Sequence, residues 1–207
     1  MNKLFKSLLI AAALLLSNGS NASVELGKDY KMLNPSQPTS NKNIEVLEFF
    51  FYGCSHCFNL HNPLSSWEKT MPNDVELTLV PTIFRNSMEP MARTMYALES
   101  MGQLNKLHEA LYRAWNVEKQ ELFDESAITN FVAKHGVDRK KFAAAYNSFS
   151  MQSKVVRAKQ MVRSYGINGT PTLVVDGKYV VTGLQPDDTV RVLKEVIQMA
   201  RKERSGE

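Results

Sequence analysis

Cys54 and Cys57, in the run Gly53-Cys54-Ser55-His56-Cys57-Phe58, are the only cysteines in the chain. If Cys54 stands just before the first turn of a helix and Cys57 lies within it, their sulfurs can come close enough to bond. Cys54 would then face unpaired backbone N–H groups and the positive end of the helix dipole. Both favour thiolate over thiol, and a protonated or hydrogen-bond-donating His56 adds to them. The spacing therefore makes Cys54 the exposed, low-pKa nucleophile and Cys57 its buried partner. Each unit by which the Cys54 pKa falls below ambient pH stabilises the reduced pair by roughly 1.4 kcal/mol. For a two-electron couple this moves the potential by roughly 30 mV in the oxidising direction.

Three other uses of C-x-x-C compete with redox chemistry. A c-type haem site needs His directly after the second cysteine, where this chain has Phe58. A zinc site could recruit His61 but would still need a fourth ligand without a third cysteine. His108 and His135 fall in another stretch and read as surface or cap histidines. An inert structural disulfide across so short a loop would remove little entropy from the unfolded chain. At this length the chain can bury a core without staples. Metal binding and a structural bridge are the minor readings, and redox chemistry is the major one.

The elements that must hold the pair can be read from periodicity. Ile44 to Tyr52 is an apolar run without clean alternation, as in a strand buried on both faces. Gly53 turns the chain, and apolar spacing then becomes helical through Cys57, Leu60, Leu64 and Trp67, with Pro63 expected to kink the helix. Val75, Leu77 and Leu79 alternate with polar residues as a second strand. From Met88 to Tyr165 the pattern is all helix. Leu104, Leu107, Leu111 and Trp115 share a face, Asp124 and Asp138 are N-caps, and Gly136 and Gly166 are stops. Phe142, Tyr146 and Phe149 are expected on one face of the helix that Asp138 opens. Strand character returns at Pro171 to Val175. Asp176-Gly177 makes a hairpin turn to Tyr179-Val180-Val181, and Pro186 opens a last helix through Val190, Leu193 and Ile197. Ser23 to Lys42, rich in Asn, Pro and Ser, reads as an irregular lead-in.

The N-terminus reads as an export signal. Lys3 and Lys6 precede an apolar stretch from Leu8 to Leu16, and Ser20-Asn21-Ala22 has the small-x-small form of a cleavage site. That stretch is short for a membrane span. Cleavage near Ala22 would leave 23 basic against 21 acidic residues, a net charge of +2 in place of +4. With the signs interspersed, this charge offers no footprint for nucleic acid.

Val46-Leu47-Glu48-Phe49-Phe50 followed by Cys54-Ser55-His56-Cys57, together with Gly169-Thr170-Pro171 and Asp176-Gly177-Lys178-Tyr179, resembles the DsbA family of periplasmic dithiol oxidases. The likeness runs in order along nearly all of the chain after residue 22. It implies an α/β, thioredoxin-like fold (residues 23–86 and 166–207) with an inserted all-helical domain (residues 87–165). It implies a disulfide donor to newly exported, reduced and unfolded proteins. Cys54 would form mixed disulfides and Cys57 would resolve them. Thr170-Pro171 matches a loop whose cis-proline faces the cysteines; without the family match, a strand-start proline is an equal reading. The Thr170 carbonyl would pair with a bound peptide, and its hydroxyl could reach Cys54. Glu48 matches a buried acid able to move the Cys57 proton, against the alternative of a solvent-facing strand edge. Ser55 departs from the proline of the best-known members, so Ser55 and His56 together bear on redox strength. No cofactor or metal is implied. The expected partners are those client proteins and a membrane DsbB-type, quinone-linked oxidase that restores the disulfide. The protein is expected to be a monomer, with no nucleic-acid partner. An isomerase or reductase is the nearest alternative; a periplasmic chaperone or metal-binding module is a more distant one.

Overall fold

A computed structural model of the chain describes residues 23–39 and 42–206. The export signal expected over residues 1–22 lies outside the described residues. Five strands form one mixed sheet: β1 (Lys31–Met32), β2 (Ile44–Phe50), β3 (Val75–Pro81), β4 (Thr172–Val175) and β5 (Tyr179–Thr182). Their order across the sheet is β1-β5-β4-β2-β3. β2 lies parallel to β3 and antiparallel to β4, with Glu48 opposite Leu79 on one side and Leu173 on the other. A central strand with neighbours on both sides needs apolar residues on both faces, and all but one residue of β2 is buried.

The lead-in is more ordered than its composition suggests. Lys31 and Met32 pair antiparallel with Val180 and Tyr179 as an edge strand. Gln37 donates its backbone N–H to the Gly177 carbonyl at 2.8 Å. Propensity missed this because the pairing is supplied by a hairpin some 150 residues away. That hairpin turns as expected at Asp176-Gly177, both with positive φ (53° and 62°).

α1 (Ser55–Glu68) and α7 (Pro186–Ser205) cover one sheet face. Leu60, Leu64 and Trp67 of α1 pack with Val46, Leu173, Val181 and Leu193 in one cluster. α1 continues through Pro63 as one helix. The other face, with Leu47, Phe49 and Val174, receives Ala158, Val162 and Tyr165 from the end of α6 (Phe149–Ser164) and the residue after it. Between β3 and α6 lie α2 (Glu89–Ser100), α3 (Leu104–Asn116), α4 (Glu125–Lys134) and α5 (Arg139–Tyr146). Their apolar faces share a core with Phe50, Tyr52 and Cys57, so the helical block closes over the end of β2 and the redox helix.

Asp124 and Asp138 cap α4 and α5 by accepting from Ala127 N and Lys141 N. Phe149 does not continue the face of Phe142 and Tyr146. The chain breaks at Asn147, Ser148 caps a new helix by accepting from Met151 N, and Phe149 is left 86% exposed at its start. A serine between two apolar periodic runs was the missed signal for this break.

Candidate redox site

β2 ends at Phe50, and a turn through Gly53 delivers Cys54 to the start of α1. Only glycine fits there: a Cβ at residue 53 would stand 2.5 Å from the Phe51 ring and 3.1 Å from Trp115. Cys54 is the N-cap of α1, with extended backbone (φ −91°, ψ 116°). Its Sγ accepts from the Cys57 backbone N–H at 3.4 Å. Helix geometry thus places Cys57 one turn inside, fully buried beneath the half-buried Cys54.

The two sulfurs, here free thiols, have opposite protonation preferences. Cys54 is pulled down to about 5, first by a hydrogen bond from the Cys57 thiol. Partial burial opposes this, while the Thr170 side chain and the Cys57 and His56 backbone amides add to the lowering. Cys57 is pushed up strongly, first by burial and then by its hydrogen bond and proximity to Cys54. His56 acts here through its backbone; its side chain is exposed and has no hydrogen bond to Cys54. Ser55 is the exposed first residue of the helix.

The loop before β4 comes from 116 positions away. The Thr170–Pro171 bond is cis, and the Cys54 thiol donates to the Thr170 carbonyl at 3.3 Å. Both groups of Thr170 therefore meet Cys54: the carbonyl holds its proton, while the side chain favours the thiolate. A groove of about 300 Å³ opens beside this contact, with His56, Asn59, Pro171, Gly183 and Gln185 in its walls. Its β5–α7 side was not readable from sequence, because Gly183 and Gln185 carry no motif and reach the site only through packing.

Glu48 lies in the interior, 3% exposed, on the same face of β2 as Val46 and Phe50. Burial, and secondarily the Glu68 carboxylate, push its carboxyl up to about 8. Its field in turn contributes to the raised pKa of Cys57. Sequence reasoning missed the aromatic wall on the other side of Cys57. There Tyr52 O–H meets His108 Nδ1 at 2.7 Å, and the rings of His61 and Tyr112 pack against His108 at 5.0 and 5.1 Å. His108 thus stands inside the fold and not at its surface or as a helix cap.

A DSBA-like thioredoxin domain model matches residues 45–194. Thiol:disulfide interchange protein DsbA of Burkholderia cepacia is 37% identical over 183 residues, 86% of each chain. The protein of the same name from Pseudomonas aeruginosa is 31% identical and covers 97% of this chain and 98% of its own. A crystal structure of Pseudomonas aeruginosa DsbA superposes with a TM-score of 0.84 at 31% identity, over 88% of this chain and 97% of that one.

Proposed function

The chain belongs to the DSBA-like thioredoxin domain family, and from that premise we infer that it is a periplasmic dithiol oxidase, donating the Cys54–Cys57 disulfide to newly exported proteins. The observation that carries this reading is the opposed protonation of two sulfurs one helical turn apart. A Cys54 thiolate held near 5 stabilises the reduced pair at neutral pH, which makes the disulfide an oxidant.

The geometry assigns each step. A client thiolate attacks Cys54 Sγ of the disulfide form, the sulfur that reaches the surface. The S–S bond breaks, and its electron pair goes to Cys57. Buried away from water, the Cys57 thiolate takes up a proton, for which Glu48 is the nearby acid. A second client thiolate then attacks the client sulfur of the mixed disulfide, and Cys54 departs as a stabilised thiolate. The client loses two electrons and the pair gains them. The groove beside Pro171 holds the client's backbone, with the Thr170 carbonyl as acceptor; Ser55 and His56, exposed at the helix start, border the incoming chain. A quinone-linked membrane oxidase of the DsbB type accepts the electrons and restores the disulfide. The protein works as a monomer, released from its signal near Ala22. Residues 23–86 and 166–207 form the thioredoxin-like unit, and residues 87–165 form the helical insertion that walls the site.

The test uses purified, oxidised protein lacking residues 1–22. It should rapidly oxidise a reduced, unfolded client, and Cys54→Ala should abolish that activity. Oxidation that persists in Cys54→Ala overturns the reading.

A further inference from the structure

A second, larger cavity of about 490 Å³ opens between α1, β3 and α3, and shares no lining residue with the client groove. Glu48 forms its inner end, and His61 and His108 stand in its wall. We propose that this cleft is the proton conduit for the buried half of the redox pair, and that His61 is the relay residue that passes protons between solvent and Glu48. The proposal rests on the disulfide-donor reading above.

Four observations support it. First, Glu48 makes no hydrogen bond or ion pair with any described residue, although it is almost fully buried. A buried acid without a partner is costly unless it is used, and this one lines the cavity. Second, the two histidines are not equivalent. His108 is locked by the Tyr52 hydroxyl, and Asn116 Nδ2 in turn donates to the Tyr52 carbonyl at 2.8 Å. Burial, with His61 adding to it, holds His108 down at about 3, so it stays neutral and serves as a fixed wall. Third, His61 has no such lock. It makes ring contacts with His108 and Tyr112 but no hydrogen bond to a described residue. Burial lowers its pKa, and the facing Glu109 carboxylate works against that. Fourth, the Tyr112 hydroxyl behind it is buried with no partner among the described residues.

The charged groups around His61 are few. α1 supplies Glu68 and Lys69, α3 supplies Glu109 beside His108, and β2 supplies Glu48, whereas β3 contributes only Leu77 and Leu79. Histidine is the side chain whose ordinary pKa suits transfer near neutral pH. When the client thiolate breaks the S–S bond, the Cys57 sulfur receives the electron pair and takes the Glu48 proton. The Glu48 carboxylate is then reprotonated from the His61 imidazolium, which recovers its proton from water. Reoxidation runs the same transfers in reverse.

The test is single-turnover oxidation of a reduced peptide by the pre-oxidised protein, followed from pH 5 to 8. Wild type is compared with His61→Phe and His61→Gln. Both variants should slow formation of the reduced pair about tenfold, the low end of what a positioned proton carrier contributes. Both should lose the histidine limb of the pH profile and recover rate in imidazole buffer, while the Cys54 thiolate titration stays unchanged. His61→Gln keeps a polar side chain at the wall, so a folding defect in His61→Phe does not empty the test. Wild-type rates and profiles in both variants, or a loss that imidazole does not restore, overturn the relay. A wild-type protein that oxidises no peptide overturns the disulfide-donor reading instead.

Discussion

Cys54 and Cys57 are the same residue type one helical turn apart, yet their surroundings move their protons in opposite directions. At the helix start, backbone N–H groups, a neighbouring thiol and the Thr170 side chain converge on Cys54 and hold it near 5. Beneath it, Cys57 meets Phe50, Tyr52 and the helical block, where burial dominates and the thiol is favoured. The difference shows that polarity in this site comes from depth more than from sequence. One turn of helix crosses from hydrogen-bond donors at the surface into an apolar interior, and the pair becomes a nucleophile and a buried reservoir.

Removing the inner member breaks this contrast most completely. Cys57→Ala should abolish turnover and trap mixed disulfides with client proteins. It should also raise the Cys54 pKa, because the Cys57 thiol is the largest support of the thiolate. Alkylation rate against pH measures this, and an unchanged Cys54 titration in the variant would show the helix terminus to be sufficient alone.

Next in size is Glu48→Gln. Below pH 4.5, Glu48 is protonated in both the folded and the unfolded chain. Between 4.5 and about 8 the folded chain keeps a proton that the unfolded chain has lost, so stability falls as pH rises. The slope approaches about 1.4 kcal/mol per pH unit, and above 8 the loss is complete. Denaturant unfolding at pH 5 and pH 8 should show a drop in wild type that Glu48→Gln flattens. Parallel pH dependence in the two proteins would mean that Glu48 is solvated. The smallest effect is expected of Thr170→Val, which keeps the carbonyl and removes the hydroxyl. The Cys54 pKa should rise by less than about one unit, since several other donors remain. A larger rise would move weight from the helix terminus to the loop.

Much of the scaffold was legible because its signals are local. Caps Asp124 and Asp138, stops Gly136 and Gly166, and the Asp176-Gly177 turn all act within a few residues. The four apolar positions read for the redox helix are its buried ones, Cys57, Leu60, Leu64 and Trp67. Local reading failed where a distant partner decided the outcome. Lys31–Met32 becomes a strand only because β5 offers an edge. His108 reads as an ordinary surface or cap histidine until the fold sets it against Tyr52 and His61.

By itself, then, the sequence determined which atoms carry the electrons and which sulfur faces outward, because C-x-x-C at a helix start is a matter of local geometry. Only the tertiary structure decided what tunes and serves them. Thr170, Glu48 and the His61–His108 wall come from different elements, and only packing the sheet, α1 and α3 together brings them around Cys54 and Cys57.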